Sequence, residues 1–158
     1  MNKELLVEST PKKIISKKDI TTIEDKMKTL PNVMYGDCFP LKHSFAKGCY
    51  VREISVPKGN LIVTKIHKVD HPCFILKGDC SILTEEGVKR IKAPYHCITK
   101  AGTKRVVYVH EDTVWVTCHI TEETDLKKIE EEVIAKNFDE IITDKEILDF
   151  KDYITKEE

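Results

Sequence analysis

Residues 59–84 read GNLIVTKIHKVDHPCFILKGDCSILT. Three apolar runs, LIVTKIH (61–67), CFILK (73–77) and CSILT (80–84), are punctuated here by Gly, Asn and Asp. Short runs rich in Val, Ile, Thr and Phe, bounded by turn formers, are the pattern of strands; a helix would need an apolar stripe at a 3.6-residue period. The same texture continues outward. YVREISV (50–56) precedes the stretch, and VKRIK (88–92), HCIT (96–99), RVVYVH (105–110) and TVWVTCHI (113–120) follow it. KGN, KGD, EEG and HED read as the connecting turns. All six glycines, at 36, 48, 59, 78, 87 and 102, fall in this middle region. About eight closely spaced strands predict a mainly β domain, a sandwich or small barrel.

The flanks have a different period. Ile20, Ile23, Met27 and Leu30 recur at helical spacing, with Pro31 as the stop. Leu126, Ile129 and Val133 predict a second amphipathic helix capped by Thr124, and Thr143 with Glu146 forms a capping-box pattern for a third. The organisation expected is an N-terminal tail and helix over 1–37, a barrel over 38–120 and a C-terminal helical appendage over 121–158.

Twenty-six basic and 27 acidic residues in 158 leave a net charge of −1, without the basic excess that binding a nucleic-acid polymer requires. The acidic excess is local, twelve acidic against six basic residues over 124–158, and reads as a solvated helix face. No apolar run approaches the length of a membrane span, and no signal-peptide pattern opens the chain, so a cytoplasmic protein is expected. Six cysteines without a CxxC, several inside apolar runs, are read as reduced, buried thiols. The neighbours Cys97–His96 and Cys118–His119 point to opposite faces of their strands and make poor catalytic dyads. Walker, GxGxxG, GxSxG and HExxH motifs are absent, which removes sequence support for kinase, dehydrogenase, hydrolase-elbow and zincin chemistry.

Six histidines, at 43, 67, 71, 96, 110 and 119, are the first chemistry to weigh. His67 and His71 sit close together beyond a strand, and imidazole is the commonest transition-metal ligand, but a metal needs three or four agreeing donors. His119 or His96 would have to supply the third.

The segment 59–102 resembles the cupin superfamily. The first cupin motif runs glycine, five residues, His-x-His, three or four residues, Glu, six residues, glycine. Gly59 and Gly78 stand at its ends in frame, with Lys65, His67 and His71 at the two histidine positions and the glutamate position. In the second motif Gly102 is kept, while Pro94, Lys100, Arg105 and Val109 replace its other fixed residues. The flanking text, HSFAKGCYVREISVPKGN and AGTKRVVYVHEDTVW, is similar to small cupin-like proteins common in bacteriophage genomes. The resemblance covers roughly residues 38–135. It implies a double-stranded β-helix, a jelly-roll barrel with the motif positions facing its cavity, and a homo-oligomer.

The family's three histidines and glutamate read here as Lys65, His67, His71 and Arg105. Two cations at these places would repel a divalent metal, so no metal or other cofactor is expected; the alternative is a divalent transition metal on His67 and His71. Lys, Arg and two imidazoles instead suit an anion. The competing reading has Lys65 and Arg105 paired with Glu53, Asp70 or Glu111, merely joining strands. Trp115, Thr117 and His119 share one face of a strand and would line the cavity if that face turns inward. The expected function is a non-catalytic binder holding a small anionic molecule on Lys65, His67, His71, Arg105, Trp115 and His119. A signalling nucleotide is the candidate ligand, and a phage sponge against host defence the candidate role. The alternatives are a metal-dependent cupin enzyme (dioxygenase, isomerase or lyase) using His67 and His71, and a structural virion protein.

Overall fold

The computed structural model describes residues 16–34, 36–84 and 87–135. The expected helix opening at Thr143, and the tail before residue 16, lie outside them.

Two long strands form the spine of the molecule. β5 (His71–Thr84) and β8 (Val106–His119) run antiparallel side by side for almost their whole length. The other strands are β1 (Leu41–Ala46), β2 (Cys49–Val56), β3 (Leu61–Val63), β4 (Ile66–His67), β6 (Gly87–Lys92), β7 (Tyr95–Thr99) and β9 (Ile134–Ala135). The main sheet has the order β1-β2-β8-β5-β6, with β3 also on β8 and β7 also on β5. Each spine strand therefore serves two neighbours. The C-terminal half of β8 carries β2 and its N-terminal half β3, while the N-terminal half of β5 carries β7 and its C-terminal half β6.

KGD and HED, expected as turns, lie inside these spine strands. The ladder slips between Ile75 and Cys80 on β5, where four intervening residues oppose the five between Trp115 and Val109 on β8. A one-residue bulge inverts the faces of a strand beyond it. Inward residues on β5 are accordingly Cys73 and Ile75 before the slip and Cys80 and Ile82 after it, all buried. Gly78 sits at the crossing with φ +111°, and a Cβ there would lie 2.2 Å from Thr113 Oγ1 and 2.7 Å from Thr113 Cα. Glycine is present for close approach of two backbones, not for a turn.

Both halves of the spine feed one apolar core. Val56, Ile75, Cys80, Ile82, Ile91, Val107 and Val109 form it, with Phe39, Ile54 and Trp115 against its side. Burying each large aliphatic side chain contributes about 1.5–3 kcal/mol. All six cysteines are free thiols, but only Cys73 and Cys80 are buried; Cys49, Cys97 and Cys118 are half-buried and Cys38 is exposed. Burial pushes Cys73 up to about 12 and Cys80 up to about 11, which removes both from nucleophilic chemistry near neutral pH.

α1 (Lys17–Lys28) opens on a capping box the periodicity did not reveal: Ser16 accepts from the Asp19 backbone N–H while the Asp19 carboxylate accepts from that of Ser16. It ends at Lys28, before Pro31, leaving Leu30 outside. α2 (Leu126–Val133) is capped by Asp125 rather than Thr124, because only the Asp125 carboxylate reaches the N–H groups of Lys127 and Lys128, at 3.0 and 3.1 Å. Both helices are tied to the barrel. Glu24 pairs with Lys104 just before β8, and the chain leaving α2 becomes β9, which pairs with β4. No helix among the described residues is long and apolar enough to cross a membrane.

Candidate metal centre

One end of the barrel is filled by the apolar core; the other opens into a cavity of about 870 Å³. Three strands each deliver one imidazole to it. His67 ends β4, His71 begins β5 and His119 ends β8. The His67 and His71 rings are 4.2 Å apart between centroids, His71 and His119 4.8 Å, and His67 and His119 5.3 Å. One nitrogen from each ring falls within 4.8 Å of the others. His119 thus supplies the third imidazole of the cluster, and His96 does not: it lies beside Phe74 on an outward position of β7. Among the described residues this is the one cluster of three or more histidines, cysteines and carboxylates with such a geometry.

The cluster is held from outside. The Val69 carbonyl lies 3.2 Å from His71 Nδ1. A carbonyl can only accept, so that nitrogen carries the proton and Nε2 keeps its lone pair. Thr117 Oγ1 meets His119 Nε2 at 3.0 Å, and Tyr50 stacks on the His119 ring while bonding His43 through its hydroxyl at 2.7 Å. The backbone of His67 is fixed by Ile134 across the β4–β9 pair and by the Gly102 N–H, 3.0 Å from its carbonyl.

These imidazoles are neutral near physiological pH. Burial, reinforced by the other two rings and by Arg52 and Arg105, pushes His67 down to about 3 from its ordinary 6.5. Burial, then His71 and Arg52, pushes His119 down to about 4. Burial also lowers His71, against the opposing effect of the Val69 carbonyl. Neutral imidazole is the form that binds metals.

Lys65, Arg105 and Trp115 also line the cavity, so all six residues expected to form the site converge there. Their charges do not act alike. Lys65 lies between β3 and β4 and is taken up by Glu130 of α2, with Asp37 at 3.9 Å. Arg52, a cavity residue the sequence reading passed over, is paired with Asp37 at 2.9 Å. Its position was open to parity, since Tyr50, Arg52 and Ile54 alternate on one face of β2 and all three line the cavity. Arg105 has no carboxylate within ion-pair distance among the described residues. Its guanidinium donates to Thr99 Oγ1 at 3.0 Å and lies 5.9 Å over the Trp115 ring. Of the carboxylates expected to hold Arg105 or Lys65, Asp70 is engaged by Lys100 and by the Ala101 N–H, each at 2.8 Å. The objection to a metal rested on two uncompensated cations; one of them, Lys65, is neutralised by Glu130.

No family model matches the chain, and no curated protein matches it significantly in sequence. Solved structures do. Ectoine synthase from P. lautus superposes with a TM-score of 0.51 at 9% identity, over 70% of this chain and 84% of that one. A cupin-2 domain protein from Shewanella frigidimarina gives 0.44 at 10% identity over 63% and 92%. A cupin domain from Bordetella pertussis gives 0.43 at 16% identity over 56% and 99%.

Proposed function

Since the chain folds as a cupin barrel, we propose that it is a metal-dependent cupin acting on a small organic anion, with His67, His71 and His119 as the protein's ligands. The observation that carries this reading is the convergence of three neutral imidazoles within 4.8 Å in a cavity large enough for a substrate. Three nitrogen donors without thiolate or carboxylate suit zinc, iron, copper or nickel better than magnesium or calcium. When bound, such an ion supplies Lewis-acid polarisation of a substrate oxygen.

The chain's own residues do the rest. Val69 and Thr117 fix the ring orientations of His71 and His119. Arg105, held by Thr99 and Trp115, offers its remaining donors to an anionic group beside the histidines. The family's acidic ligand has no counterpart in the cluster, so the negative charge there comes with the substrate. Weight moves from the non-catalytic binder to the metal-dependent protein because the third donor is present and Lys65 is compensated.

The test is cobalt(II) titration of chelator-treated protein, followed by visible absorption and elemental analysis. One ion per chain is expected, with loss of uptake in His119→Ala and retention in His96→Ala. Uptake that is no greater in the native chain than in His119→Ala overturns the metal. The second reading, an anion binder without metal, is favoured by the uncompensated Arg105 and would then stand. A nucleotide is carried in that reading by charge alone, because the guanidinium already lies over Trp115.

A further inference from the structure

The polar floor of the cavity accounts for half of its character; its rim is a different chemistry. Leu30, Leu61 and Leu126 are 58%, 45% and 43% exposed and come from three separate segments, the turn after α1, β3 and the first residue of α2. All three line the one cavity, with Val63 and Val133 continuing the same wall. Large aliphatic side chains left in water on one opening mark a surface that meets an apolar partner. Charge inside is equally one-sided. Close to the histidines, Arg52 and Lys65 are matched by Asp37 and Glu130, which leaves Arg105 there to receive an anion; Lys28 and Lys127, the other lysines in the lining, stand exposed on α1 and α2.

We infer that the ligand of this cavity is an amphipathic monoanion, an organic carboxylate whose head group takes the Arg105 fork beside the histidines and whose apolar body lies along the leucine wall. The inference rests on the proposed function in placing the ligand in this cavity. A doubly charged head such as a phosphate monoester would call for a second uncompensated cation beside Arg105; Arg52 and Lys65 are already committed there, and Lys127 stands in the exposed first turn of α2. A neutral apolar ligand would leave the Arg105 fork desolvated without an acceptor.

Calorimetric binding of octanoate, octanamide and acetate tests it. Octanoate should bind about tenfold or more tightly than octanamide, which lacks the charge, and than acetate, which lacks the tail. Arg105→Gln should bring octanoate down to the octanamide level, Arg105→Lys should fall between, and Leu61→Asn should weaken octanoate while leaving acetate unchanged. Octanamide or acetate binding as tightly as octanoate, or Arg105→Gln binding octanoate like the native chain, overturns the inference. The first comparison needs no variant and decides the matter even where Arg105→Gln fails to fold. Cobalt uptake measured on the same samples separates the two claims. Octanoate binding through Arg105 in a chain that takes no cobalt refutes the metal alone; cobalt uptake without octanoate selectivity refutes the amphipathic ligand alone.

Discussion

Lys65 and Glu130 are 65 positions apart in the chain, yet they pair at the wall of the cavity. With Glu130 in place, Lys65→Ala should change cobalt affinity by less than about threefold, because a compensated charge is being removed. Glu130→Gln should weaken cobalt binding about tenfold by exposing the ammonium to the site, and adding Lys65→Ala should restore it. A double variant no better than Glu130→Gln would show that Lys65 is not the cause. The histidines themselves were legible to different degrees. His67 and His71 stood out by proximity and by the glycine frame around them, and His119 by alternation with Trp115 on one strand face. Nothing local announced the partner of Lys65, since Glu130 belongs to a helix whose docking is set by Ile129, buried on the barrel. Arg52 lies outside the motif positions, and only strand parity places it on the face of Tyr50.

At the scale of the element, glycine carries two different instructions that look alike in sequence. Gly59, with φ +82° and nothing within 4 Å of its missing Cβ, needs only its backbone conformation; Gly78 needs the space as well. Gly59→Ala should therefore cost about 1 kcal/mol. Gly78→Ala should cost about 3 kcal/mol or more, since Thr113 is buried and its backbone stands in the way. Equal urea midpoints for the two variants would refute the close approach as the constraint. The apolar runs on either side of KGD and HED were read correctly as strands. Their union into β5 and β8 was not legible, because a bulge and a turn recruit the same residues and only the partner strand distinguishes them. Asp125→Ala should loosen α2 by about 1 kcal/mol, and with it the seat of Glu130. Cobalt affinity falling alongside helix content is the check.

For the whole molecule, the three imidazoles make the fold sensitive to acid. An unfolded chain takes up a proton on each histidine near pH 6.5, whereas the folded barrel holds His67 neutral down to about 3 and His119 to about 4. The unfolded state thus binds more protons between those limits, so stability is full above pH 6.5 and is lost as the pH falls toward about 4. Urea midpoints should drop between about pH 7 and about pH 4.5, and His119→Phe should flatten that slope. An unchanged slope would mean that the rings are open to water. The barrel as a class was readable from strand density and glycine spacing, because those are local and repetitive. That one end is packed and the other hollow was not, since it depends on which faces of distant strands meet.

The pairing of Ile134–Ala135 with Ile66–His67 bears on how the protein comes into being. His67 is synthesised in the first half of the chain, but the strand that seats it is the last of the described elements to leave the ribosome. A nascent chain halted before residue 134 can already hold the long β5–β8 pair, and with it His71 and His119, while the first imidazole lacks the strand across from it. The cluster of imidazoles is completed late in translation, and a stop codon just after α2 would remove the strand paired with His67 rather than trim a tail.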